Sequence, residues 1–132
     1  MNDKIIKDYL DQSQKKTRSC QDLVFSFIDE YFEKNNIEPN DSIVYKKADI
    51  DRRLFSKFRK TGYNLSKNNI LKLCIALELS LDDTVEVLQS AGYYLSNNKR
   101  FDLILRYFIS KGDYDIFKIN NCLSANQEAV LC

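Results

Sequence analysis

Three glycines, Gly62, Gly92 and Gly112, and one proline, Pro39, are the only strong chain breakers in 132 residues. Between them apolar residues recur three and four apart, the period of a helix face, and no long alternating run marks a strand. The clearest case is Leu23, Val24, Phe27, Ile28, Tyr31 and Phe32. Their spacing places all six on one broad face of a helix from about Cys20 to Lys34, with Ser19 as its N-cap. The pattern predicts an all-α fold, a compact helical domain of about seven or eight short helices.

The remaining helices follow from the same signals. Ile5, Ile6, Tyr9 and Leu10 mark a short first helix, and the polar stretch Asp11 to Ser19 is either its continuation or a linker. After the turn at Asn35 to Asn40, Asn40 or Asp41 caps a short helix through Ala48. Asp49-Ile50 breaks it, and Asp51 caps a helix from Arg52 to about Thr61 that stops at Gly62. Ser66 starts a helix with Ile70, Leu73, Cys74 and Leu77 facing inward. Ser80 and Asp83 resemble a capping box, opening a helix with Leu81, Val85 and Leu88 that ends at Ala91-Gly92. Phe101, Ile104, Leu105 and Phe108 mark a seventh helix, stopped at Lys111-Gly112, and Ile116, Phe117 and Ile119 a short eighth. Leu123 to Cys132 has little pattern and is expected to fray.

Composition narrows the function. With 44% hydrophobic and 30% charged residues the chain is neither a disordered tail nor a membrane protein. No apolar run approaches the ~20 residues of a transmembrane helix, and Met1 to Leu10 lacks a signal peptide's apolar core, so a cytoplasmic location is expected. There is no histidine, which removes Ser-His-Asp and Cys-His catalysis and histidine-containing zinc sites. Cys20, Cys74, Cys122 and Cys132 are 54, 48 and 10 residues apart, which matches no zinc or redox motif. Cys74 reads as a small core residue. The three glycines form no phosphate-binding loop. Neither an enzyme nor a cofactor nor a metal site is expected.

The charge total, 20 Lys plus Arg against 19 Asp plus Glu, conceals an asymmetry. Residues 46 to 60 carry Lys46, Lys47, Arg52, Arg53, Lys57, Arg59 and Lys60 against Asp49 and Asp51, a net of +5. Residues 1 to 41 net −3 and residues 61 to 132 net −1. In the helix after Asp51, Leu54, Phe55 and Phe58 share one face and the basic residues occupy the other. A short helix, a break and a basic amphipathic helix are what a helix-turn-helix requires, the second helix entering the major groove of DNA. A solvated helix face is the plainer reading of the same charges.

These segments resemble the Cro and lambda-repressor-like (XRE) helix-turn-helix family over about Leu23 to Gly92. Tyr45 to Arg59 sits where that family has its bihelical motif, and Leu65 to Asp82 is similar to its fourth helix and the start of its fifth. Two residues depart from the pattern: Tyr45 stands where the family prefers Ala, and Asp49 where it usually has Gly. Asp adopts the left-handed conformation at modest cost, so the turn is retained, whereas Tyr45 implies a wider or differently angled helix pair. The resemblance implies a lambda-repressor-like core. It places base contacts at Arg52, Arg53, Ser56 and Lys57, with Asp51 a cap or an acceptor from cytosine. Phosphate contacts fall to Lys46, Lys47, Arg59, Lys60 and Lys67.

The chain then divides into an N-terminal helix and linker (1–19), the helix-turn-helix domain (20–92), C-terminal helices (93–122) and a frayed tail (123–132). Phe101, Ile104, Phe108 and Phe117 are expected to pack on the domain, or else to form a partner surface. The first helix faces the same choice. Among the eight tyrosines, burial is expected for Tyr31, Tyr45, Tyr93, Tyr94 and Tyr107, ahead of stacking on single-stranded bases. The expected function is a small DNA-binding transcriptional regulator whose partner is double-stranded DNA. A homodimer would place two recognition helices roughly 34 Å apart. The alternative is a protein-interaction module of the same shape, an antitoxin or a phage-borne inhibitor of a host defence nuclease, docking a protein through its N- or C-terminal helices.

Overall fold

Six helix starts in this chain are made by short polar side chains that turn back on the backbone. The computed structural model describes residues 3–16 and 18–132. Among them are eight helices and no strand: α1 (Asp3–Lys16), α2 (Cys20–Lys34), α3 (Asp41–Lys47), α4 (Arg52–Thr61), α5 (Lys67–Ala76), α6 (Leu81–Ser90), α7 (Arg100–Ser110) and α8 (Ile116–Ala125). The polar stretch after Leu10 continues α1 through Lys16. Thr17, within the alternative linker, lies outside the described residues, as do Met1 and Asn2. Ser19 Oγ accepts from the Asp22 N–H at 3.0 Å, Asn40 Oδ1 from Ser42 at 3.0 Å, Ser66 Oγ from Asn69 at 3.2 Å and Ser80 Oγ from Asp83 at 3.1 Å. Each such bond satisfies an N–H that a helix start leaves without a partner, a contribution of about 1 kcal/mol.

The C-terminal ends are closed with less help from glycine than the sequence suggests. Asn36, Asp49, Glu78 and Gln127 stand in the left-handed region at φ 54°, 55°, 55° and 61°. In each case the following residue donates its N–H five residues back: Ile37 to Phe32, Ile50 to Tyr45, Leu79 to Cys74 and Glu128 to Leu123, at 2.9 to 3.0 Å. These bonds satisfy carbonyls that the helix ends would otherwise expose, which offsets the backbone strain.

The core is organised around α5, where every residue from Ile70 to Ala76 is buried. α3 packs on one side of it and α6 on another, and α3 also packs on α4. α6 in turn meets α2 and α7, and α7 meets α8. Leu23, Val24, Ile28 and Phe32 of α2 join this cluster. Each large apolar side chain fully removed from water there contributes roughly 1.5–3 kcal/mol.

Two expectations for the C-terminal part need correction. Leu123 to Ala125 belong to α8, and residues 126–132 fold back on it. Leu131 is 2% exposed, and its N–H donates to Asn120 Oδ1 at 2.8 Å while its carbonyl accepts from Asn120 Nδ2 at 3.3 Å. One asparagine thus satisfies the backbone of a segment without helical periodicity, and Leu131 enters the core. Phe101, Ile104 and Phe108 do pack against the core, but Phe117 is 78% exposed. The buried residues of α8 are Ile119 and Leu123, with Ile116 half-buried beside them. Phe117 lies one residue, or about 100° of helical rotation, off that stripe. Tyr94 and Tyr107, for which burial is expected, are likewise exposed; on α1, for which core packing and a partner surface are both open, Ile5, Ile6, Tyr9 and Leu10 are exposed.

Cys74 is a core residue with a free thiol, and burial pushes its pKa from 9.0 up to about 12. A thiol that ionises less readily folded than unfolded stabilises the fold below the unfolded value. That contribution is lost as pH rises from about 9 towards 12, at up to about 1.4 kcal/mol per pH unit. Urea denaturation at pH 8 and pH 10.5 should show the loss, and Cys74→Ala should reduce it. Tyr114, raised by burial, contributes in the same direction.

Candidate nucleic-acid interface

The segment from Asn40 to Gly62 is two helices held at a fixed turn. Asn40 opens α3, Ala48 ends it, and Asp49 takes the left-handed position expected of it. The Asp49 carbonyl accepts from Lys72 Nζ at 2.8 Å, so the central helix α5 holds the turn from behind. Asp51 caps α4: its Oδ1 accepts from the N–H groups of Arg53 and Leu54 at 2.8 and 3.3 Å. At the far end Gly62, at φ 70°, donates its N–H to Phe58 O at 2.9 Å. Asp49→Gly removes the cost of placing a side-chain residue in that region, and should raise stability by about 0.5–1 kcal/mol in a denaturant titration.

Aromatic packing fixes the face that α4 presents. Phe55 and Phe58 are buried, and the Phe25 ring of α2 lies 5.7 Å from Phe55 edge-on and 5.5 Å from Phe58 stacked. Tyr45 occupies the α3–α4 contact, its ring 5.7 Å from Phe55, so its bulk is absorbed by an aromatic pair. With this face committed, Arg52, Arg53, Lys57 and Lys60 are exposed and Ser56 is half-buried. None of the four cations forms an ion pair within the described residues. Lys57 Nζ stands 4.0 Å from the ring of exposed Tyr63, a residue that the basic pattern alone does not single out.

Among the five phosphate-contact positions, Lys46, Lys47 and Lys60 are exposed, and Lys47 Nζ donates to Tyr31 Oη at 3.0 Å. The other two are engaged within the protein. Arg59 makes a paired contact with Asp41, Nε to Oδ2 at 2.5 Å and Nη2 to Oδ1 at 2.6 Å, and stacks 4.0 Å from Phe25. It also borders a groove lined by Asp22, Asp29 and Glu33, a negative wall that disfavours a phosphate there. Gln21 Nε2 donates to the Arg59 carbonyl and holds this end of α4 against α2. Lys67 is turned inward: its Nζ lies 2.7 Å from Oδ1 of buried Asp102. Asp41 and Asp102 are 18 and 35 residues from the cations they neutralise, too far for a local charge count to pair them.

Among the described residues no helix is long and apolar enough to cross a membrane, and no group of three or more His, Cys, Asp or Glu is arranged to hold a metal ion. No family model, curated protein or solved structure matches this chain.

Proposed function

We propose that the chain binds double-stranded DNA by setting α4 into the major groove, and that it acts as a small transcriptional regulator. The observation that carries this reading is the outer face of α4, where Arg52, Arg53, Lys57 and Lys60 are exposed and without ion-pair partners among the described residues. On the same segment Arg59 is neutralised by Asp41, which leaves the exposed cations on the outer face of α4 and at Lys46 and Lys47 near the end of α3. Arginines at the start of a helix suit bidentate contact with guanine edges, and Lys46, Lys47 and Lys60 suit the flanking phosphates. Asp22, Asp29 and Glu33 line the groove beside Arg59, and their charge disfavours DNA along that groove.

A random-duplex selection at two salt concentrations tests the reading. An enriched motif supports it, salt-sensitive retention without a motif reduces it to non-specific attachment, and no retention removes it. A second reading rests on a different observation. Ile5 and Tyr9 of α1 are 67% and 69% exposed, an apolar stripe suited to a protein partner. On that reading the chain is an interaction module, and a protein co-purifies in stoichiometric amount with no DNA bound at low salt.

A further inference from the structure

We propose that the groove between the α3–α4 turn, α5 and α8 binds a small amphipathic carboxylate, with Lys72 holding the acid group. The groove has a volume of about 590 Å³, and Ile75, Ile116, Phe117 and Leu131 are among the apolar residues that line it. Its size and apolar walls suit a small organic ligand. Lys72 also lines it, is 7% exposed and, among the described residues, makes one hydrogen bond, to the Asp49 carbonyl, and no ion pair. An ammonium has three N–H donors, and a buried charge is costly unless paired. A carboxylate in the groove supplies both the missing acceptors and the missing charge.

The surroundings narrow the ligand class. Asp49, Glu78 and Asp115 line the same groove, and Asp115 is engaged in capping α8. Three carboxylates disfavour a polyanion such as a nucleotide, whereas Lys46 and Lys47 at the turn leave room for a single negative charge. Phe117, the most exposed large apolar side chain of the described residues, gains burial from an apolar ligand body. A monocarboxylic acid with an aromatic or branched apolar part meets all of these conditions.

The test uses the full chain without DNA, so its outcome is independent of the DNA-binding reading. Phenylacetate, titrated against the isotopically labelled protein, should give saturable amide shifts at Lys72, Ile75 and Phe117. Phenylacetamide, equal in shape but uncharged, should bind at least about tenfold more weakly, as should phenylacetate to Lys72→Met. Phe117→Ala, a change at an exposed position, should weaken binding by about threefold through lost apolar contact. The acid–amide comparison needs no variant, and so decides the matter even where Lys72→Met fails to fold. Equal binding of acid and amide, or no saturable shift, overturns the proposal.

Discussion

Replacing Arg52 and Arg53 together by alanine should lower affinity for a selected duplex at least about 30-fold and abolish its preference over random sequence. Both side chains are exposed in the first turn of α4, and neither forms an ion pair among the described residues. Alanine is a good helix former, so the variant should melt within about 1 °C of the parent. Lys46→Ala with Lys47→Ala should behave differently. Binding to all duplexes should weaken alike, and the slope of log affinity against log salt should fall by about 1.8, two phosphate contacts at about 0.9 each. Arg59→Ala should leave the slope unchanged, because its guanidinium is committed to Asp41. Titrations at three or more salt concentrations separate these effects. Unaltered affinity in the Arg52/Arg53 variant sinks the docking geometry and shifts weight to a protein partner.

The division between what the sequence reveals and what it hides follows the range of the interactions. Ser19, Asn40, Asp51, Ser66 and Ser80 all cap the helices expected of them, because a cap bond spans two or three residues. The basic face of α4 was equally legible, since Leu54, Phe55 and Phe58 determine locally which residues face outward. Lys72 was not: α5 is buried on every side, and helical periodicity cannot identify a lysine whose partner is a turn carbonyl 23 residues away. The docking of Leu131 depends in the same way on Asn120, 11 residues distant. Phe117 shows the converse error, in which apolar character was read as burial although its angular position on α8 points it outward.

Lys67 gives the second large effect, through stability and not through DNA. Asp102, 2% exposed, accepts from Lys67 Nζ with Oδ1 and from the Ser96 N–H with Oδ2, each at 2.7 Å. α7 has no side-chain cap from Lys99, and the Asp102 carboxylate in its first turn complements the positive end of the helix dipole while holding the incoming loop through the Ser96 N–H. The same carboxylate ties the start of α5 to α7. Asp102→Ala leaves the Ser96 N–H without its acceptor and Lys67 without its counter-charge, and should cost about 3–5 kcal/mol in urea denaturation. Asp102→Asn keeps an acceptor for Ser96 and should cost about 1–3 kcal/mol. Lys67→Met should also destabilise, and adding it to Asp102→Ala should cost less than the sum, since one interaction is removed twice. The phosphate role first expected for Lys67 makes the opposite forecast, an intact fold with a flatter salt slope. A loss below about 1 kcal/mol for Asp102→Ala would show that the pair is replaceable by water, and that Lys67 is free to reach a phosphate after all.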